Sequence, residues 1–280
     1  MKNGIILVNK EINKTSRDMV NDLNHIFNMK KIGHTGTLDP IATGVLVMCL
    51  GKYTKLIDLL SSIKKEYIAT IKLGIQTDTQ DITGNITMKQ AFNIKEKDII
   101  EVFSQMIGSF KQTIPIYSAK KINGKKLYEY ARNNEKVDLP QNEVTIYDIQ
   151  LIDFKDDLII FKTLVSKGTY IRSLIDEICH KLNTIGTMQS LQRTKQGKFS
   201  INDSFTINDI KNGEYNILKA KDILNYPIYN LNHQEYQKVI NGSKMNFISN
   251  EQYLILLYNN NEIAIYQKDN NIYRIKVMLV

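Results

Sequence analysis

Two kinds of apolar pattern run along the chain. Residues 4–9 (GIILVN) and 43–51 (TGVLVMCLG) are nearly unbroken apolar runs edged by polar residues or glycine, which predicts short strands buried on both faces. Residues 66–74 (EYIATIKLG) alternate with period two, and 144–153 and 158–166 also read as strands. A helical period appears at 17–27, where Val20, Leu23, Ile26 and Phe27 share one face behind a Thr15 or Ser16 cap. It recurs at 52–61 and at 95–110, through Ile99, Ile100, Phe103, Met106, Ile107 and Phe110. It recurs again after GTYIR, through Ile171, Leu174, Ile175, Ile178 and Leu182. Around residues 222–230 the texture changes to short β-type runs (YLILLY, EIAIYQ, IYRIKVMLV) separated by Asn-rich turns. The pattern predicts a large α+β domain with a small β-barrel appended.

Charge narrows the partners. The 280 residues carry a formal net charge of +8 spread through the chain, which favours phosphate-rich ligands, although mild basicity is common among proteins. The two cysteines, Cys49 and Cys179, lie in apolar contexts, and no CxxC occurs. The four histidines (His25, His34, His180, His233) lack zinc-ligand spacing, so neither a metal nor a disulfide is expected. Cys179 and His180 are neighbours on a predicted helix and point in different directions, which favours a core cysteine over a Cys–His pair. No apolar stretch is long enough for a membrane span, and the run near the N-terminus is too short for a signal peptide; a cytoplasmic protein is expected.

Candidate chemistry concentrates in GHTGTLDPIATG, residues 33–44. Asp39 lies between apolar Leu38 and rigid Pro40, which biases it away from the α region. Gly33, Gly36 and Gly44 permit backbone geometry that other residues resist. The loop can hold a carboxylate at a fixed angle beside a buried strand, or it can be an Asp-Pro turn closed by its own side chain. The residue before Thr35 is His34, so TGTLD lacks the aspartate that a phosphoryl-transfer motif needs. No phosphate-binding or dinucleotide glycine motif is present, and no cofactor is expected.

GHTGTLDPIATGVL resembles the catalytic signature of the TruB family, the bacterial tRNA pseudouridine-55 synthases. Further blocks agree in order: KKEYIATIKLGIQTDTQDITG, IPIYSAKKINGKKLYEYAR, SKGTYIRSLIDEI and LQRTKQGKF. The resemblance covers about residues 5–210. It implies a mixed, largely antiparallel sheet flanked by helices over 1–225 and a PUA-like RNA-binding domain over 226–280. It implies Asp39 as the catalytic carboxylate, Arg172 as its partner and Tyr67 as the aromatic that stacks on the target base. It further implies a substrate-facing role for His34, which helps displace the target nucleotide, for Leu191 in the uracil pocket, and for Lys10 and Tyr170 near the site. Each has a plainer reading: Tyr67 and Leu191 as core residues, His34 as a turn cap, and Arg172 paired with Asp176 one helical turn on. The lysines of KKINGKK form a solvated face or touch phosphates.

The reaction so implied breaks the N1–C1′ bond of a uridine, turns the uracil and rejoins it through C5. It requires an ionised carboxylate, a stacked aromatic and a water-poor floor. The expected partner is the T arm of tRNA, recognised by shape and phosphate, with the protein a monomer, no metal and no membrane. Departures from the family pattern are Glu11 for proline, Asn13 for glycine, Ile114 for a common proline and Gln192 for arginine. The competing expectations are a catalytically silent tRNA-binding or folding protein, or a synthase acting on another RNA.

Overall fold

The computed structural model describes residues 2–61 and 63–280. Its main feature is a nine-stranded sheet whose path runs Gly4–Lys10, Thr43–Leu50, Gly186–Gln196, Lys65–Leu73, Leu158–Val165, Gln141–Lys155, Gly108–Thr113. Two short strands, Ile32–His34 and Phe199–Ser200, pair on the side of this path. All pairings are antiparallel except the short parallel contact between Thr43–Leu50 and Gly186–Gln196. The sheet is thus mixed and largely antiparallel, as expected.

The unbroken apolar runs have a simple cause. Ile5, Leu7, Val45, Val47 and Cys49 enter one core, while Ile6, Val8, Leu46, Met48 and Leu50 enter another on the opposite face. The second core is covered by the helix Ser16–Phe27 through Met19, Val20 and Leu23, capped by Thr15 in a reciprocal box with Asp18. A third core packs the helices Glu96–Met106 and Ile171–Lys181 on the long strands and holds Leu38, Ile41, Tyr67 and Leu191. Cys49 and Cys179 are free and buried in these cores, and burial pushes both thiols up to about 12.

Three local expectations change. The 95–110 helix stops at Met106, and Gly108, at φ 123, turns the chain into a strand that carries Phe110; Ile100 and Ile107 are left exposed. Residues 52–61 open as a 3-10 segment, Gly51–Leu56, before the α-helix Ile57–Ser61. The Asn-rich C-terminal region forms an open four-stranded sheet, Ile228–Asn230, Tyr253–Tyr258, Asn261–Asp269 and Ile272–Met278, not a closed barrel. Closure is unnecessary because both faces are covered. Ile255, Leu257, Ile265 and Val277 join the core of the first sheet, while Leu254, Leu256, Tyr266 and Tyr273 pack under Val239 of the helix His233–Ile240.

A half-buried polar contact fastens the two sheets. Glu262 accepts the Tyr53 hydroxyl and the amides of Ala220 and Lys221, the latter two at 3.2 and 2.6 Å. Tyr53 is 2 % exposed, so its hydroxyl relies mainly on this carboxylate. Glu262→Ala leaves that hydroxyl unpaired and is expected to cost about 2 kcal/mol, read as a lowered thermal midpoint.

Candidate active site

The loop that carries Asp39 is fastened before its carboxylate does anything. Leu38 donates its amide to Ser16 Oγ at 2.9 Å, so the first turn of the Ser16–Phe27 helix grips the residue before the aspartate. Pro40 O accepts the Asn13 amide at 2.9 Å and Lys10 Nζ at 3.2 Å. Ala42 N donates to Asp39 O at 3.0 Å and closes the turn through the backbone, leaving the side chain free. Of the three loop glycines only Gly44 has positive φ, at 105°. A β-carbon there would lie 2.2 Å from Arg193 O, so glycine is required for the parallel approach of the two central strands.

The freed carboxylate meets Arg172. Arg172 Nε lies 3.0 Å from Asp39 Oδ2, and the arginine side chain is 5 % exposed against 35 % for the aspartate. Its Nη1 donates to Thr79 O at 3.0 Å and its Nη2 to Tyr117 O at 2.9 Å. The guanidinium therefore ties the Asp39 loop, the 77–81 turn and the 113–118 segment to the first turn of the Ile171–Lys181 helix. Asp176, the other acid within reach on that helix, instead accepts the side-chain amide of Gln80.

Asp39, Tyr67, Arg172, Leu191 and Tyr170 all line one cavity of about 390 Å³. Tyr67 and Leu191 rise from adjacent central strands and are 6 % and 8 % exposed. Tyr170 caps the Ile171–Lys181 helix, and its backbone is fixed by Gln112, whose Oε1 accepts the Tyr170 amide at 2.8 Å and whose Nε2 donates to Tyr170 O at 3.1 Å. Burial pushes the Tyr170 phenol up. His34 lies in the short strand that leads into the loop; it does not line the cavity, although Thr35 and Gly36 do. Burial, with Arg193 and Arg17 nearby, pushes its pKa down, which favours a neutral ring. Lys10 is fully buried under the loop and outside the cavity. It donates to the carbonyls of Glu11, Lys14 and Pro40, and burial pushes it down to about 8. Its place is structural support for the loop.

Two lining residues escaped sequence reasoning. Lys65 and Arg193 project from the same strands as Tyr67 and Leu191 and are 8 % and 0 % exposed. Lysines and arginines read as surface residues in a sequence; only the pairing of Lys65 with Gln196 and of Tyr67 with Arg193 puts these two on the cavity floor. With Lys120, Lys167 and Arg172, five cations line the cavity against the single carboxylate of Asp39.

A pocket over an antiparallel-rich sheet, with one carboxylate set against a buried guanidinium and flanked by an aromatic and an aliphatic wall, suits polar bond cleavage on a flat base. Residues 24–171 match the model of the TruB family pseudouridylate synthase N-terminal domain. The chain is 40 % identical over 270 residues to a tRNA pseudouridine synthase B of Caldanaerobacter subterraneus, covering 94 % of this chain and 93 % of that one. It is 40 % identical over 243 residues to the protein of that name from Caldicellulosiruptor saccharolyticus, covering 87 % and 83 %. A solved H/ACA ribonucleoprotein bound to a substrate RNA containing 2′-deoxyuridine has a similar fold, with TM-score 0.72 at 20 % identity over 99 % of this chain and 85 % of that one. Fold and sequence thus define a pseudouridylate synthase. The chain belongs to the TruB family.

Among the described residues no group of His, Cys, Asp and Glu is placed to hold a metal, and no helix is long and apolar enough to cross a membrane. Burial pushes Asp176 up to about 6 from 3.8. In the folded protein it takes its proton earlier than in the unfolded chain. Its ionisation therefore costs stability at neutral pH, and that cost is relieved as pH falls through about 6 towards 4. Asp176→Asn keeps an acceptor for Gln80 and is expected to stabilise the protein by about 1 kcal/mol near pH 8, discounted for partial exposure, with the advantage gone by about pH 4. Denaturant midpoints across that range check the sign.

Proposed function

We propose that this protein converts one uridine of tRNA, position 55 in the T loop, to pseudouridine, acting as a monomer in the cytoplasm. The observation that carries this reading is the Asp39–Arg172 pair in a cavity walled by Tyr67 and Leu191. Asp39 is the nucleophile, and Arg172 aims it by a charge-assisted hydrogen bond. Cleavage of N1–C1′ frees the base. Tyr67 stacks on the uracil while it turns, and Leu191 excludes the water that would otherwise leave an abasic site. C5 then bonds to C1′, the bond that the Asp39 carboxylate formed to the substrate breaks and frees the carboxylate, the C5 proton departs and N1 gains one, so the reaction is an isomerisation with no net change in atoms. No cofactor or metal takes part.

The target must leave the RNA stack to reach this cavity. His34, at the entrance to the Asp39 loop, takes the vacated place, and Tyr170 lines the path of the base. Residues 1–225 carry the reaction. Residues 226–280 form a PUA-like module that adds RNA contact, and the lysines of the 120–126 hairpin meet phosphates. Lys126 there lies 5.3 Å from the Tyr128 ring, and Lys125 lies 4.6 Å from the Tyr130 ring and pairs with Glu135 at 2.6 Å, which holds the finger firm and leaves Lys120, Lys121 and Lys126 as its cations without an ion pair among the described residues.

An unmodified elongator tRNA transcript incubated with the protein and no added cofactor tests the reading. Carbodiimide labelling and primer extension are expected to give a single T-loop stop. Asp39→Asn is expected to lower turnover at least about a thousandfold while leaving tRNA affinity nearly unchanged. Tight binding with no stop would favour a tRNA-binding or folding protein, and a stop in another RNA would favour a different substrate. Affinity is also expected to fall at least about tenfold between about 50 and 200 mM salt, measured by filter binding.

A further inference from the structure

The floor of the reaction cavity holds two cations that Asp39 does not balance. Arg193 is fully buried; its Nε donates to Val45 O at 2.8 Å and its Nη2 to Gly36 O at 3.1 Å, while Nη1 has no partner. Lys65 reaches the carbonyls of Ser61 and Ile63, both at 3.3 Å, and no ion pair among the described residues includes it. Burial, with Arg193 and Lys167 beside it, pushes the Lys65 pKa down to about 8, and no acid works in the other direction. Buried like charges without an anion are costly, and a structure that keeps them is arranged for one.

Both cations border the same niche. A β-carbon on Gly36 would lie 3.4 Å from Lys65 Cε and 3.5 Å from Arg193 Nη1. Gly36 does not have positive φ and those distances are ordinary contact, so the glycine is needed neither by its backbone nor to avoid a clash; it leaves space. Gln196 Oε1 is 3.9 Å from the same point and has no partner, while its Nε2 donates to Thr35 Oγ1 at 2.6 Å and Leu60 O at 3.2 Å. That fixed oxygen closes one side of the niche with an acceptor; it and Arg193 Nη1 are buried, while Lys65 and Lys167 line the cavity beside them.

We infer that Lys65 and Arg193, with Lys167, form a subsite for a phosphodiester flanking the extruded uridine. The inference rests on the proposed reading of the cavity as a uridine site. A phosphodiester has a full charge and two free oxygens that Lys65 and Lys167 can reach from the cavity, with the Arg193 charge behind them, whereas a neutral uracil cannot offset these charges. The subsite would anchor the backbone while the base turns above Leu191, so that sugar and carboxylate stay in register.

Synthetic T-arm hairpins test it, one unmodified and two with a neutral methylphosphonate on the 5′ or 3′ side of the target uridine. Turnover of the unmodified hairpin judges the underlying reading, and Kd values for all three judge the subsite independently. With wild-type protein one methylphosphonate is expected to weaken binding about tenfold, the scale of a lost charge-assisted hydrogen bond. Lys65→Met is expected to weaken the unmodified hairpin by a similar factor and to abolish the methylphosphonate penalty. Gly36→Ala, which fills the niche without removing a charge, is expected to do the same. Methylphosphonates that all bind within about twofold of the parent, or a penalty undiminished in both variants, would overturn the assignment. A Lys65→Met protein with unchanged Kd and lowered kcat would also overturn it, by assigning the cations to the base.

Discussion

The guanidinium of Arg172 is the joint on which the site depends. It is almost wholly buried, and each of its nitrogens meets a different segment: Nε the Asp39 carboxylate, Nη1 the Thr79 carbonyl and Nη2 the Tyr117 carbonyl. A buried cation so divided cannot move without stranding at least one acceptor, and an acceptor stranded in a low-dielectric interior is costly. Asp39, at 35 % exposed, is the one partner that opens onto the cavity. Stiffness is thus supplied from behind, and the carboxylate faces the cavity. The same division explains Asp176. With the arginine hydrogen-bonded elsewhere, its carboxylate has the Gln80 amide, and burial raises its pKa more than that amide and the nearby Arg172 charge lower it.

Much of this was legible in the sequence, for identifiable reasons. Strands and helices with an apolar face announced themselves by period, and the Asp39 block, with the Tyr67 and Arg172 blocks, was specific enough to imply which side chains would meet. What stayed hidden was the central strand Gly186–Gln196. Its inward positions include Thr187, Arg193 and Gln196, all fully buried, so the hydrophobic alternation that marks a strand is absent. His34 and Lys10 were placed near the site by resemblance, but the first stands outside the cavity lining and the second lies beneath the loop. The overlong helix at 95–110 has a local cause: Ile107 and Phe110 continue the period, but Gly108 lets the backbone leave it.

Three of the four departures from the family pattern are absorbed by the fold. Asn13 adopts φ 63 where the family has glycine, a conformation that asparagine tolerates better than most residues, and its amide still reaches Pro40 O. Ile114, where a proline is common, is fully buried and donates its amide to Pro140 O at 3.0 Å, a bond that proline could not make. Gln192 is exposed on the strand that presents Leu191 and Arg193, so losing a charge there leaves the cavity floor intact.

Arg172 and Arg193 show two ways of burying the same group. Arg172 is matched by an acid of this chain, and that match orients the Asp39 carboxylate at the cavity. Arg193 has two carbonyls but no acid, and Lys65 beside it has none either. Hydrogen bonds to carbonyls satisfy donors without neutralising charge, so the free protein retains a positive floor under its cavity. An RNA backbone can supply the missing charge, whereas a folded core never could. On the proposed reading, the cost of holding these cations apart from water is offset on binding, which would place part of the affinity beside the reacting nucleotide.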